Sequence, residues 1–173
     1  GLEERAPMCG VPFHAAETYI NRLIEKGYKV AICEQVEDPK TAKGIVKREV
    51  TRVVTPGTNL NMQELDEGKN NYLMAIVCVG DHFGVSTADI TTGDCYVTEI
   101  DEERKLWDEI NKFLPAEIIC NDAFLVSGVD VDDLRNRLHI SVFALESWYF
   151  GDDLCKQTLL EHFKISSLEG LGL

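Results

Sequence analysis

Apolar positions along this chain follow two rhythms, and Pro, Gly and Asp mark where one gives way to the other. Ala16, Tyr19, Ile20, Leu23 and Ile24 recur at three- and four-residue steps, which predicts an amphipathic helix with one buried stripe, stopped by Gly27. Ahead of it, Pro7, Gly10 and Pro12 predict a stiff loop, with Ala6 and Val11 pushed towards extended conformations. His14 stands where loop becomes helix. A strand is expected over Lys29–Val36, with Val30, Ile32 and Cys33 able to face a core, and Asp38-Pro39 breaks it. Val46–Thr55, rich in β-branched residues, reads as a second strand ended by Pro56-Gly57.

Asn59–Asn71 is polar and reads as a linker or a short surface helix. Beyond it, Tyr72–Val79, Phe83–Ile90 and Tyr96–Ile100 are strand-like runs separated by Gly80-Asp81 and Thr92-Gly93-Asp94, the pattern of antiparallel hairpins. Asp101 opens a helix with Glu102 and Glu103 in its first turn, where the dipole favours acids. Its apolar face is Leu106, Ile110, Phe113 and Leu114, and Pro115 stops it. A short strand Glu117–Cys120, a helix around Asp132–Leu138, a strand Ile140–Leu145 and a helix Asp152–Phe163 complete the order β-β-β-α-β-α-β-α. That α/β order is the ribonuclease-H-like topology. No internal repeat and no low-complexity tract interrupts it.

Composition narrows the class. With 173 residues, 45% hydrophobic and 27% charged, the chain suits one or two ordinary globular domains. The longest apolar run, Tyr72–Val79, has strand length, so no membrane span is expected, and the opening GLEERAP is not a secretory signal. A cytoplasmic protein is the expectation. Six cysteines (Cys9, Cys33, Cys78, Cys95, Cys120, Cys155) form no C-x-x-C pair, and the four histidines do not supply zinc spacing, so buried reduced thiols are expected and no metal. Cys33, Cys78, Cys95 and Cys120 all occupy strand-like apolar settings.

The net charge of −13 argues against nucleic acid until it is divided. Residues 1–60 hold nine Lys and Arg against eight Asp and Glu, a balance of +1. Residues 61–173 hold eight against twenty-two, a balance of −14. A cationic strip, Lys40, Lys43, Lys47, Arg48 and Arg52, interrupted only by Glu49, lies in the first segment, while the second would repel a phosphate backbone. The change of charge coincides with Pro56-Gly57, giving domains 1–58 and 59–173.

Four ordered stretches carry a resemblance: P-M-x-G-V-P-x-H-A from Pro7, Y-I-x-R-L-I-x-x-G-Y-x-V-A-I-C-E-Q from Tyr19, D-P-x-x-A-K-G-I-V-x-R-E-V from Asp38 and R-V-V-T-P-G-T from Arg52. Together they resemble the N-terminal part of the MutS family of bacterial DNA mismatch-recognition proteins. The likeness continues more weakly to Ser166–Leu173 and so covers essentially the whole chain. It implies a mixed α/β fold in which 1–58 is the latter part of mismatch-binding domain I and 59–173 is the ribonuclease-H-like connector domain II. It implies mismatched double-stranded DNA as ligand, bound at the minor groove and backbone through Pro7, Met8, Gly10, Pro12 and His14, with Lys43, Lys47 and Arg48 on phosphates. MutL, the remaining MutS domains and a homodimeric parent are the implied protein partners. Family members wedge an aromatic-x-Glu element into the mispair, and the chain is expected to begin after it, so salt-steep binding without mispair preference is expected. ATP and Mg belong to the family's downstream region, and no G-x-x-x-x-G-K-S/T occurs in these 173 residues.

Without the resemblance the same residues have plainer roles: a rigid packed loop, a helix-cap or core histidine, and a solvated charged face. Catalysis finds little support. Two-metal phosphodiester cleavage on a ribonuclease-H-like sheet needs converging carboxylates, yet the first strand Tyr72–Val79 has none, leaving Asp89 and Asp122. No G-x-G-x-x-G follows a strand and no G-x-S-x-G elbow occurs. The expectation is a non-enzymatic, cofactor-free binding and coupling fragment. The alternative is a protein-interaction module with no independent DNA binding.

Overall fold

A computed structural model of the chain describes residues 10–59 and 70–172, arranged as a two-stranded and a five-stranded sheet. Pro7, Met8, Cys9 and most of the expected linker lie outside the described residues. In the first unit a 3-10 turn, Phe13–Ala15, runs into helix α1 (Ala16–Ile24). Gly27 ends the helical turn as expected, with φ +79° and its N–H donating to the Ile24 carbonyl at 2.7 Å, while Tyr28 N–H reaches back to Leu23 at 3.0 Å. Strands β1 (Val30–Gln35) and β2 (Arg48–Val54) then pair antiparallel, with one irregularity between Ile32 and Cys33. Val36 N–H extends the ladder to the Lys47 carbonyl at 3.1 Å. Asp38 turns the intervening loop, its Oδ1 accepting Lys40 N–H at 2.9 Å and its carbonyl accepting Thr41 N–H at 3.0 Å.

The stripe expected on α1 is corrected by the structure. Ile24 is buried and Ile20 half-buried, but Tyr19 and Leu23 remain 45% and 43% exposed. Asn21 is buried instead, its Oδ1 accepting Asn59 Nδ2 at 3.3 Å. Two strands and a nine-residue helix have too little surface to cover a full apolar face. The same shortage leaves Val50 and Val53 of β2 exposed and Cys33 of β1 in solvent.

The second unit has its own core. Strands β3 (Tyr72–Val79), β4 (His82–Asp89) and β5 (Cys95–Ile100) form an antiparallel meander, and β6 (Glu117–Cys120) and β7 (Ser141–Ala144) add parallel on the other side of β3, giving the order β5-β4-β3-β6-β7. Alternation sends Met74, Ile76, Cys78, Phe83, Val85, Ile118, Cys120 and Val142 to one face. Helix α2 (Glu103–Phe113) buries Leu106 and Ile110 in the same core, joined by Phe124 of the single turn α3 (Asp122–Leu125) and Leu134 of α4 (Val131–Asn136). Leu114 departs from the expectation: it takes φ +44° at the end of α2 and is exposed, because Pro115 forbids another helical turn. Phe113 is held edge-on to Tyr72, ring centroids 5.1 Å apart. Helix α5 (Asp152–Phe163) spans its expected range but half-buries only Leu159 and Leu160. Cys95 lies exposed on edge strand β5, whereas Cys78 and Cys120 are buried and burial pushes the Cys120 thiol up to about 11.

Two Asx side chains organise the sheet ends, neither of them singled out by the pattern of apolar positions. Asn121 clasps the end of β3, accepting Cys78 N–H at 3.0 Å and donating to the Cys78 carbonyl at 2.9 Å, and it also caps α3. Asp89 is buried at the end of β4, where its Oδ1 accepts Thr91 N–H at 2.8 Å and Thr91 Oγ1 at 2.6 Å, while Oδ2 is buried with no hydrogen-bond partner among the described residues. Burial pushes this carboxyl up, but the two Thr91 bonds, helped by the N–H groups of Asn71 and Thr92, hold it below the usual carboxylate range.

The units meet at one cross-strand row, Leu73 of β3, Glu117 of β6 and Ser141 of β7, which lie side by side on the face opposite the core. Thr55 and Thr58 cap each other around Pro56-Gly57: Thr55 N–H donates to Thr58 Oγ1 at 2.9 Å and the hydroxyls lie 2.8 Å apart. Gly57 then presses on the row so closely that a Cβ there would sit 2.9 Å from Leu73 Cδ1 and 3.0 Å from Glu117 Cβ. A Cβ at Gly27 would sit 3.1 Å from Ser141 Oγ. Asn71 Nδ2 donates to the carbonyls of Pro56 and Asn59 at 3.1 and 3.3 Å.

Two outcomes are expected in denaturant titrations of the chain. Gly57→Ala costs about 1–3 kcal/mol, because the added methyl overpacks against backbone-proximal atoms. A depressed folded value means that Asp89 stabilises the fold above its unfolded pKa of about 3.9 and that this is lost as pH falls through the lower folded value. Asp89→Asn therefore costs about 1–3 kcal/mol at neutral pH and loses less stability than the parent between roughly pH 5 and pH 3.

Candidate nucleic-acid interface

The path of the first unit decides where its cations and its loop lie. The C-terminal end of α1 and the end of β2 both face the five-stranded sheet: Ile24, Glu25, Lys26, Gly27 and Pro56 line one cleft of about 630 Å³ with Arg135, His139 and Ser141. Because β1 and β2 pair antiparallel, their connection lies at the end of the hairpin opposite Val30 and Val54. Lys43, Lys47 and Arg48 belong to that connection and the first residue of β2, whereas Gly10, Pro12 and His14 lie in the loop and 3-10 turn that precede α1.

All six are exposed. Pro12 supplies extended backbone (φ −58°, ψ 141°) ahead of the 3-10 turn, and its carbonyl accepts Ala15 N–H at 2.9 Å, which stiffens the approach to α1. A Cβ at Gly10 would meet nothing within 4 Å among the described residues. Phe13, between Pro12 and His14, is 92% exposed, and Ile45 in the hairpin loop is exposed to the same degree. The apolar pattern marks neither of them, since only the fold leaves them uncovered among the described residues. A large exposed aromatic beside a polar loop marks a contact surface.

The cations are not equally available. Lys47 Nζ pairs with Glu49 Oε1 at 2.5 Å, and Lys47 N–H donates to Glu37 Oε1 at 2.6 Å, so Glu37 and Glu49 partly neutralise this corner. Lys43, Arg48 and Arg52 make no ion pair among the described residues. Both faces of the hairpin are open, and the irregularity beside Ile32 sets Arg52 on the same side as Glu49 and Arg48 on the other, all three exposed. The surface can meet a polyanion by charge and by apolar contact. Among the described residues no three His, Cys, Asp or Glu side chains converge on a metal position, and no helix is long and apolar enough to cross a membrane.

The two candidate carboxylates of the second unit are kept apart. Asp89 pairs with Tyr72 at the start of β3, whereas Asp122 follows the far end of β6. Because β6 runs parallel to β3, that places them at opposite ends of the sheet, more than about 15 Å apart at 3.3 Å per residue. Two metals about 4 Å apart cannot bridge them.

Comparison with known proteins bears on the same two units. Residues 1–63 match the family model for MutS domain I, and residues 71–173 match that for MutS domain II. The chain is 64% identical over its whole length to the DNA mismatch repair protein MutS of Lachnoclostridium phytofermentans, covering 19% of that protein. It is 51% identical to the MutS of Ruminiclostridium cellulolyticum, with 97% of the chain and 20% of the relative aligned. It is 49% identical to that of Acetivibrio thermocellus, with 95% and 19% aligned. The chain thus spans about a fifth of the length of these curated relatives.

Separated carboxylates predict no hydrolytic chemistry. Incubating the chain with duplex DNA and Mg²⁺ or Mn²⁺ is expected to give no cleavage above an Asp122→Ala control, read on a denaturing gel.

Proposed function

This chain belongs to the MutS family of DNA mismatch repair proteins and carries its domains I and II, and from that premise we propose that its first unit binds heteroduplex DNA. One observation above all supports the reading: Gly10, Pro12, Phe13 and His14 of the loop and Lys43, Lys47 and Arg48 of the hairpin are all exposed, within a segment whose charge balance is +1 over residues 1–60. Pro7 and Met8 belong to the same proposed surface by sequence. Division of labour follows from chemistry. Lys43, Lys47 and Arg48 contact phosphates and supply affinity. Small and apolar groups of the loop lie against the minor groove, whose width and ease of bending vary where pairing is faulty.

The division between binding and connecting parts falls at 58/59, just after the Thr55–Thr58 turn. The second unit acts as a connector and carries no catalytic site of its own. Its charge balance of −14 over residues 61–173 repels DNA and suits protein contact, with MutL and the other MutS domains as partners, a homodimeric parent, and a cytoplasmic setting. By the family resemblance, ATP and Mg belong to the part of the longer relatives that this chain does not span.

Fluorescence anisotropy with a labelled heteroduplex tests this. The logarithm of the binding constant is expected to fall against that of salt concentration with a slope of about −2 to −3, since each neutralised phosphate contributes about −0.9. Lys43→Ala with Arg48→Ala flattens the slope by about 1–2 and weakens all duplexes alike. Gly10→Ala leaves stability unchanged in the open space around it and weakens binding, because its methyl meets the groove. Undetectable binding at low salt would reject the reading in favour of a protein-interaction module.

A further inference from the structure

We propose that the Glu117 carboxylate is an interdomain latch, which holds the hairpin unit in one orientation on the five-stranded sheet by accepting the Gly57 N–H and facing the Lys29 ammonium. The inference stands on the junction itself and not on the DNA-binding reading, and its test uses no DNA.

Glu117 side-chain exposure is 2%, a costly place for a carboxylate. Its Oε2 accepts Gly57 N–H at 2.9 Å, and its Oε1 lies 3.9 Å from Lys29 Nζ. Both partners come from the hairpin unit. Lys29 in turn sits with its ammonium 3.8 Å from the centroid of the Phe143 ring on β7, so it is held between an anion and an aromatic face of the other unit. Lys29 is 35% exposed and stands at the rim, where water reaches the cation but not the carboxylate.

This arrangement makes the solvation of Glu117 conditional on docking. When Gly57 and Lys29 are seated, the carboxylate has an N–H and a cation in place of water. When they withdraw, the side of the sheet that they covered opens and water takes their place. The intermediate condition, a covered carboxylate without partners, is the costly one. Two well-separated states with a poor middle are what a latch requires. Gly57 and Gly27 make the closed state possible, because a side chain at either would hold the units apart on the row Leu73, Glu117 and Ser141. The role of Glu117 is positioning.

Nuclear magnetic relaxation and amide exchange on the whole chain test the latch. In the parent, amides of β1–β2 and of β3–β4 are expected to share one rotational correlation time. Glu117→Gln keeps the shape and loses the charge; it is expected to give the hairpin amides a shorter correlation time than the sheet and to raise Gly57 and Thr58 exchange roughly tenfold or more, with sheet amides such as Val85 within about twofold. Lys29→Met keeps the stem against Phe143 and leaves Glu117 covered without its cation, so it should have the same effect, and combining it with Glu117→Gln should restore part of the shared tumbling. Unchanged tumbling and exchange in both single variants would overturn the proposal. So would an equal rise across β3 and β4, which would mean that the core and not the junction had loosened.

Discussion

A single backbone N–H donated to a buried carboxylate, Gly57 to Glu117 at 2.9 Å, is the contact on which the arrangement of this molecule turns. Around it gather Thr55 and Thr58 capping each other, Asn71 holding the carbonyls of Pro56 and Asn59, and Lys29 between Glu117 and Phe143. None of these is a large apolar contact. The junction is polar and directional, so it specifies an orientation where a greasy interface would specify mainly proximity. It also explains why Thr-Pro-Gly-Thr sits at the boundary: a fixed φ, a missing Cβ and two mutually satisfied hydroxyls are each needed at one position of the turn.

The two units differ in how completely they bury themselves. The five-stranded sheet has a contiguous core from Met74 to Val142, with Leu106, Ile110, Phe124 and Leu134 fully covered. The hairpin unit buries Ile24, Val54 and Asn21 but leaves Phe13, Tyr19, Leu23, Val50 and Val53 open to solvent. An apolar surface of this kind beside cations suits contact with a larger partner. Charge reinforces the contrast, since the whole excess of acid lies in residues 61–173. The two units thus differ in charge as well as in burial.

Local patterning made much of this legible. The period of β4, with Phe83, Val85, Thr87 and Asp89 inward, and the range of α5 both follow from residues a few positions apart. The cationic strip and the Pro/Gly loop could be named as candidates on composition and family likeness, and the fold leaves Gly10, Pro12, His14, Lys43, Lys47 and Arg48 exposed. What local patterning missed depended on distant partners. The α1 stripe fails at Tyr19 and Leu23 because nothing arrives to cover them, and Asn21 is buried because Asn59, thirty-eight residues away, meets it. Phe13 and Ile45 look like ordinary core residues until the fold leaves them uncovered.

The sequence by itself therefore determined the strands and longer helices, their order, the segregation of charge and the family, while the single turn α3 went unread. It did so because periodicity, turn chemistry and charge balance act over short stretches. Tertiary structure alone decided that Glu117, an unremarked acid opening a four-residue strand, is buried under Gly57, and that Asn121 clasps Cys78 across forty-three residues. It alone separated Asp89 from Asp122. A carboxylate carries no local mark of its future partner; only the packing of one unit on another chooses which acids are covered and which donors face them.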